Sequence, residues 1–406
     1  MKFLFKLIFF VGFIVLLFFV IAYGRGYRWN LKENSLSPTG ILSLNSSPNA
    51  AKVFLNGQFK GVTDINLTLP PGDYQVEIKK DGFTSWSKNL KLKGELVYTI
   101  DAQLFPLNPS LSPLTNLGII KAVPVDQTEK IIIFSDNNNE TKDGIYLFEA
   151  NKKPLSLFPP LKLLVLKKNI PLEKIDFNNL QVYFSADYKE AIIDFNPNSP
   201  ENKAYLFNLD SENSNLFDVT TSKETLIAAY EDEKNKEINK ILETFSDKIF
   251  KFATSSFQMI NFSPDKTKFF YQAKKNLELP LVIKPPLVAV NQTPQQRNLL
   301  KNNFYVYDKK EDRNYLIDSS KFTGDQLPQW YPDSRHLLFV ESKKITIVDY
   351  DDTNKQTIYS GPFENSFFII TSDGKIITLT NLNPENNSFP DLYSCLLYTS
   401  PSPRDS

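Results

Sequence analysis

The stretch FSPDKTKFFY, residues 262–271, joins a turn signal directly to an apolar run. Ser-Pro-Asp favours a tight turn, because proline presets φ and the aspartate side chain accepts backbone N–H bonds. The same order recurs in FSAD, residues 184–187, and in WYPDS, residues 330–334, each time before another apolar run. This recurrence predicts a fold made of repeated strand-forming units.

A second element recurs after these turns, in the form of a short Tyr- or Ile-bearing strand that precedes a polar turn. Its copies are IYLF 145–148, AYLF 204–207, FYVY 304–307 and ITIV 345–348. A last copy of the turn, Ser372–Lys375, leads into the apolar run Ile376–Leu379. Residues 107–394 therefore form one repetitive region.

The order of these elements resembles the repeat of WD40-like and TolB-type β-propellers. The resemblance implies four-stranded blades around an axis, with aromatic side chains packed between them. At about 40–45 residues per blade, residues 107–394 accommodate roughly six or seven blades. We expect an all-β fold whose propeller is truncated at the C-terminus and lacks a closing strand.

Two segments interrupt the repeat. Ser222–Lys248 is strongly charged with apolar residues at helical spacing, which predicts an amphipathic helix. Packing against a blade is the preferred interpretation, and a partner-binding helix is the alternative. Lys274–Asn302 contains four prolines, which predicts a long irregular excursion that either binds a partner or is disordered.

Residues 39–105 contain short alternating runs separated by turn signals, among them Asn56-Gly57 and Asp81-Gly82. Strands at this spacing predict a small antiparallel β-sandwich. The region resembles the PEGA domain of prokaryotic surface proteins through six motifs in order. These are Ser47-Pro48, Pro48–Ala51, Val53–Gly57, Gly61–Thr63, Pro71–Tyr74 and Gly82-Phe83.

The PEGA resemblance implies an extracytoplasmic interaction or spacer module without catalytic activity. Asn49 and Ala50 depart from the Pro-Glu-Gly-Ala motif. Ala50 should matter only if the glycine that it replaces needs a positive φ, where a Cβ is costly.

The N-terminus carries an uncharged run, Leu7–Gly24, that is just long enough to span a bilayer as a helix. We expect a single-pass anchor that leaves residues 1–6 in the cytoplasm and the bulk of the chain outside. A cleaved signal peptide is the competing interpretation, although no small-x-small cleavage site follows. Residues 25–38 are expected to be a linker.

Residues 395–405 resemble the translation of a sequencing-library adapter and differ in style from the preceding chain. We therefore expect residues 395–406 to be non-native and leave them out of fold prediction.

The composition argues against most catalytic chemistry. The chain has 46 basic and 46 acidic residues, one histidine, His336, and one cysteine, Cys395. His336 is expected to be structural or at the surface. The acidic stretches Asp136–Gly144 and Asp349–Asn354 lack the ligand spacing of a calcium loop, so they are expected to be solvated turns. We predict no catalytic, cofactor-binding or metal-ligating residue.

These features predict a non-enzymatic binding or scaffold protein of the cell envelope, which displays its propeller to a protein or a cell-wall glycan. A sensor or assembly factor that acts through a membrane partner is the alternative, and a propeller glycosidase or lyase is the third option. No cofactor and no nucleic-acid partner are expected, because the basic residues are scattered.

Overall fold

The structure is a computed structural model that describes most of the chain in two compact units. The described residues are 2–24, 26–30, 35–107, 109–126, 128–151, 160–286, 291–320, 322, 327–364, 366–385 and 388–397. Arg25, part of the linker, part of the proline-rich excursion and residues 398–406 of the predicted tail lie outside them. The first unit contains the chain up to Leu107 and the segment 285–294, and the second contains 108–284 and 295–398.

The chain begins with an apolar helix, α1 (Lys2–Gly24). Its segment Phe5–Gly24 has a mean hydropathy of 2.9 and is long enough to cross a membrane. A signal sequence near an N-terminus has the same length and composition. Because α1 begins at Lys2, it includes most of residues 1–6, which were predicted to be a separate cytoplasmic tail.

The described part of the linker forms a hairpin in front of a two-sheet sandwich. The hairpin strands are β1 (Tyr27–Asn30) and β2 (Ser35–Pro38). The sandwich strands are β3 (Gly40–Ser47), β4 (Lys52–Leu55), β5 (Gln58–Val62), β6 (Ile65–Leu69), β7 (Gly72–Lys79), β8 (Trp86–Leu92) and β9 (Val97–Gln103). One sheet has the order β6-β3-β9 and the other β5-β4-β7-β8, and their facing apolar residues form one core.

The sandwich is not fully antiparallel, because β3 and β9 pair in parallel with Ile41 opposite Val97. Strands joined by a short turn must be antiparallel, whereas these two are separated by the whole second sheet. Asn56 and Gly57 have φ values of 50° and 77°, as a hairpin turn of the predicted type requires. Ala50 has a φ of 56°, so the position does favour glycine.

The second unit consists mainly of short antiparallel strands in chain order. They are β10 (Leu111–Pro113), β11 (Ile119–Val125), β12 (Lys130–Ser135), β13 (Gly144–Glu149), β14 (Leu161–Leu166), β15 (Leu180–Phe184), β16 (Glu190–Phe195), β17 (Lys203–Asn208), β18 (Phe217–Asp218), β19 (Phe257–Phe262), β20 (Lys268–Ala273), β21 (Leu277–Glu278), β22 (Asn298–Leu299), β23 (Phe304–Asp308), β24 (Arg313–Ile317), β25 (Gln329–Trp330), β26 (His336–Glu341), β27 (Lys344–Asp349), β28 (Gln356–Tyr359), β29 (Phe368–Ile370), β30 (Lys375–Thr380) and β31 (Asp391–Leu396). A single 3₁₀ turn, Lys167–Asn169, follows β14.

These strands form a β-propeller whose described residues make five four-stranded blades. Blade 1 is β11-β12-β13-β14, blade 2 is β15-β16-β17-β18, blade 3 is β19-β20-β23-β24, blade 4 is β25-β26-β27-β28 and blade 5 is β29-β30-β31-β10. The N-terminal strand β10 completes the C-terminal blade, and this pairing closes the ring. The prediction of six or seven blades and of a missing closing strand was therefore wrong for the described chain.

The count was too high because two segments inside the repetitive region do not form blades. The helices α2 (Lys223–Leu242) and α3 (Asp247–Ser256) lie between blades 2 and 3 along the chain. One face of blade 2 packs on blade 1, while its other face, around Ile192, packs on Leu226 and Tyr230 of α2. Phe245 and Ile249 pack on Phe269 of blade 3 in turn. The helical pair thus occupies a place where a neighbouring sheet would otherwise pack.

The exclusion of the tail from the fold was also wrong at its first residues. Cys395 and Leu396 extend β31 and pair with Ile376 and Lys375. Strand pairing depends on backbone groups, so a foreign sequence can continue a strand when its apolar residues alternate suitably.

The repeated turn has the same geometry in several blades. The Ser263 hydroxyl donates to Asp265 Oδ1 at 2.7 Å and accepts the Lys268 N–H at 3.0 Å. The Thr267 N–H also donates to Asp265 Oδ1, at 3.1 Å. The residue after each turn aspartate has a positive φ, in the order Tyr188, Lys266, Ser334 and Gly374. The sequence repeat is therefore a repeat of one side-chain-capped turn.

Candidate binding surface

Both long insertions of the propeller leave their sheets at the same end. In an antiparallel four-stranded blade, the connection into the first strand and the connection between the second and third strands lie at one end. The helical segment 219–256 precedes the first strand of blade 3, and segment 274–303 joins its second and third strands. We call α2, α3 and the β21–β22 ribbon the insertion cap.

The insertion cap shares one core with blade 3. Its buried side chains come from both insertions and from one face of the sheet, and Phe257 stacks on Tyr271 with ring centroids 4.0 Å apart. The set comprises Leu242, Phe245, Ile249, Ala253, Leu279 and Leu299 from the insertions, with Phe257, Phe269, Tyr271, Ala273, Tyr305 and Tyr307 from the sheet. The cap is therefore a packed part of the propeller.

A buried ion pair fixes the described part of the proline-rich excursion. The Arg297 guanidinium lies 3.1 Å from Asp312 Oδ1 and donates to the backbone oxygens of Pro280 and Asp312. Asp312 Oδ2 accepts the N–H groups of Val282 and Ile283 at 2.7 and 2.9 Å. Its other oxygen accepts the Tyr307 hydroxyl at 3.0 Å. Pro280, Val282, Ile283 and Arg297 of this excursion are therefore held on blade 3.

A second buried pair holds the start of α2 against blade 2. Lys223 Nζ lies 2.7 Å from Asp194 Oδ2 and 3.0 Å from Asn202 Oδ1. About two helical turns further along α2, the Tyr230 hydroxyl donates to Glu190 Oε2 at 3.2 Å. α2 therefore packs against a blade, as the preferred sequence interpretation expected.

The outward face of α2 is polar and carries charges of both signs. Lys236 pairs with Asp232 at 2.6 Å and Lys240 pairs with Glu237 at 2.5 Å, and all four side chains are exposed. Exposed pairs of this kind contribute little stability. They leave a solvated, mixed-charge surface on the cap that suits polar recognition.

His336 lies buried between two carboxylates instead of at the surface. Its Nδ1 is 2.6 Å from Asp333 Oδ2 and its Nε2 is 3.2 Å from Asp349 Oδ1. Burial disfavours the charged imidazolium, but these carboxylates outweigh it and raise the pKa of His336 to about 10. The ring is therefore an imidazolium at neutral pH, which cannot accept a proton as a general base and serves as an ion-pair centre.

Carboxylates of both acidic stretches accept hydrogen bonds from groups in their own turns. Asp143 accepts the N–H groups of Asn137 and Asn139 at 2.8 and 2.6 Å. Asp349 accepts the Asn354 amide at 3.0 Å, and Asp351 accepts the Thr353 hydroxyl at 2.6 Å. Within the described ranges, no group of three or more His, Cys, Asp or Glu side chains is placed to hold a metal ion.

Cys395 is buried in blade 5, and burial raises the pKa of its thiol to about 12. A thiol with such a pKa is a poor nucleophile at neutral pH.

Sequence reasoning missed the ionic anchors Arg297–Asp312 and Lys223–Asp194. Their partners are far apart in the chain or follow no fixed spacing. The only available signal was a single arginine inside a proline-rich segment, which predicts a packed loop more than a free one.

Comparisons with known proteins identify one domain. Residues 39–108 match the PEGA domain family. None of the curated proteins matches the chain at a significant level.

The solved structures to which this chain is similar include two of very low sequence identity. The putative TolB from Agrobacterium tumefaciens is 11% identical, with 87% of this chain and 99% of that chain covered and a TM-score of 0.20. The Dos1 propeller is 10% identical, with 92% and 82% covered and a TM-score of 0.20. These values are too low to carry an argument about function. The propeller assignment rests on the strand order of the five blades.

Proposed function

We propose that this chain, which carries a PEGA domain at residues 39–108 followed by a β-propeller, is a non-enzymatic binding protein of the cell envelope. The helix α1 anchors it in the membrane by a single pass, with its N-terminus in the cytoplasm. The PEGA domain and the propeller lie outside, where the propeller binds a protein or a cell-wall glycan.

The observation that carries this proposal is the insertion cap. Both long insertions leave blade 3 at one end of the propeller. A buried ion pair holds the helical insertion against blade 2, and another holds the proline-rich insertion against blade 3. Loops on a rigid scaffold are where binding residues concentrate. The mixed-charge outer face of α2 makes this end of the propeller the proposed contact surface.

The environments of two buried ionisable groups, His336 and Asp312, favour binding over catalysis at those positions. His336 is held as an ion-paired imidazolium, and Asp312 is satisfied by Arg297, Tyr307 and two backbone N–H groups. A general base needs a pKa near the working pH and a free approach to substrate. Both side chains are buried in ion pairs and lack that free approach.

The first test is the orientation. Bacterial cells that express the chain with an N-terminal epitope tag and an epitope inserted after Glu385 are treated with protease while intact. We expect loss of the propeller epitope and survival of the N-terminal tag. Survival of the propeller epitope in intact cells, with its loss after lysis, would overturn the external placement.

The second test is recognition by the cap. The full chain in lipid nanodiscs is sedimented with purified cell-wall sacculi and compared with the charge-reversal variant K236E/K240E. The matched control is K60E/K91E, which reverses two exposed lysines on the PEGA domain and changes the net charge by the same amount. If the wild type pellets and only the cap variant is lost, the cap binds glycan. If the wild type does not pellet, the glycan arm is excluded and the protein arm is tested by photo-crosslinking from position 236 in cells. Absence of both pelleting and crosslinking would refute binding through the cap.

A further inference from the structure

Exposed apolar side chains concentrate at one end of the first β unit. Among the described residues of 26–105, the large apolar side chains that are well exposed are Trp29, Ile41, Phe59, Val62, Leu96 and Val97. Four of these, Trp29 at 54%, Ile41 at 38%, Leu96 at 47% and Val97 at 65%, lie on the hairpin and at the beginnings of β3 and β9. We call these four residues the interfacial patch.

Two patch residues, Ile41 and Val97, lie on the outer side of the sheet β6-β3-β9, whereas Trp29 lies on the hairpin and Leu96 directly precedes β9. Ile41 pairs with Val97 across β3 and β9, and the Ile41 N–H donates to the Leu96 oxygen at 2.9 Å. The neighbouring residues Leu42 and Tyr98 point the other way and are buried in the sandwich core. The patch residues therefore make no contribution to that core.

A chain of hydrogen bonds connects the patch to the end of α1. The Gly26 N–H donates to the Tyr23 oxygen at 3.1 Å, and the Thr39 N–H donates to the Gly26 oxygen at 2.9 Å. The Glu95 N–H donates to the Thr39 oxygen at 2.9 Å, and the Tyr27 hydroxyl donates to the Glu95 carboxylate at 2.6 Å. The hairpin thus links the last turn of α1 to the edge of the sandwich that bears the patch.

The side chains around this link have the composition of a membrane interface. Arg28 donates to the Tyr23 oxygen at 2.9 Å, and its guanidinium lies 3.8 Å from the centre of the Tyr23 ring. Tyr23 lies at the end of the apolar segment, and Tyr27 and Trp29 follow that segment within a few residues. Tyr and Trp favour the headgroup level because their rings are apolar with one polar end, and basic residues favour lipid phosphates.

We propose that the interfacial patch docks onto the lipid bilayer that α1 crosses, so that the PEGA domain lies against the membrane surface. The proposal rests on the proposed anchor, because continuity with α1 is what identifies lipid as the partner. Apolar side chains inserted about 5–10 Å into the headgroup boundary stabilise such contacts.

The test uses full-length protein in phosphatidylcholine nanodiscs, in a C395S background, with bimane attached to one introduced cysteine. The three sites are Phe13 in α1, Val97 in the patch and Val62 as the matched control. Val62 is an exposed valine of the same sandwich, next to Thr63, whose hydroxyl lies 2.6 Å from that of Ser46. Ser46 is five residues along β3 from Ile41, or about 17 Å in a strand.

Brominated phosphatidylcholine should quench F13C and V97C, while V62C should stay within error of the unbrominated control. If F13C is quenched and V97C is not, the anchor stands and the patch proposal is overturned. If F13C is not quenched, the anchor itself fails and the patch proposal fails with it. Quenching of V62C as strongly as V97C would mean general burial in lipid and would also overturn the proposal.

A second readout uses native tryptophan. Trp86 and Trp330 are buried, whereas Trp29 is exposed. Quenching of tryptophan emission by brominated lipid should therefore disappear in W29F. Persistence of the full quenching in W29F would contradict docking through Trp29.

Discussion

The Arg297 guanidinium lies 3.1 Å from the Asp312 carboxylate, and both side chains are almost fully buried. Asp312 also receives backbone N–H groups from Val282 and Ile283. The two partners come from the proline-rich excursion and from the start of the last strand of blade 3. One buried pair therefore joins both arms of the described excursion to the sheet.

Replacing Arg297 by methionine should destabilise the propeller by about 3 kcal/mol. Asp312 would keep its backbone donors but lose the opposite charge, and an uncompensated buried charge costs roughly 3–5 kcal/mol. Urea unfolding of the detergent-solubilised full chain measures the loss. The control is K203M, which breaks the half-exposed pair Lys203–Asp218 and should cost far less, because solvent screens such pairs. Equal effects of the two changes would contradict the buried role of Arg297.

The buried contacts of His336 with Asp333 and Asp349 should make the stability of the protein depend on pH. Its folded-state pKa, about 10, lies above the ordinary value of 6.5. The stabilisation is therefore fully present below pH 6.5 and is lost as pH rises through 10. The difference in unfolding free energy between wild type and H336Q should shrink steadily from pH 6 to pH 10. A difference that is constant over this range would contradict a folded-state pKa above the ordinary value.

Sequence reasoning succeeded where the signal is local. The turn around Ser263 and Asp265 depends on residues within five positions, so its repetition could be read directly, and the same is true of Asn56-Gly57. Blade number could not be read, because strand pattern does not reveal which strands are neighbours. The pairing of β10 with β31 and the packing of α2 between two blades depend on contacts across much of the chain. The partner of Arg297 was hidden for the same reason.

Replacing Ala50 by glycine should stabilise the folded protein. Its φ of 56° is in the left-handed region, where a Cβ is strained. The change A50G should raise the unfolding free energy by about 0.5–1 kcal/mol, because relief of strain exceeds the added freedom of the unfolded chain. The opposite change, G57A, should cost about 1 kcal/mol, since Gly57 has a φ of 77° and open space around its Cα, which leaves backbone strain as the only effect. Chemical unfolding of both variants gives the sign, and a destabilising A50G would refute the strain argument.

Removing the aspartate of the repeated turn should lower the unfolding free energy more where the turn is less exposed. Burial alone would raise the pKa of Asp265, but hydrogen bonds from Ser263 and Thr267 hold it well below its ordinary value. The change D265A should cost about 1–2 kcal/mol at pH 7, because the Thr267 N–H and hydroxyl lose their acceptor. The matched change D187A removes the same cap from a more exposed turn in blade 2 and should cost less.

The stabilisation by the Asp265 carboxylate is present above pH 3.8 and is lost as pH falls through the depressed pKa. The unfolding free energies of wild type and D265A should therefore converge in acid. Urea unfolding at pH 7 and pH 3 measures both effects. A D265A difference that does not shrink at pH 3 would mean that the carboxylate charge plays no part in the turn.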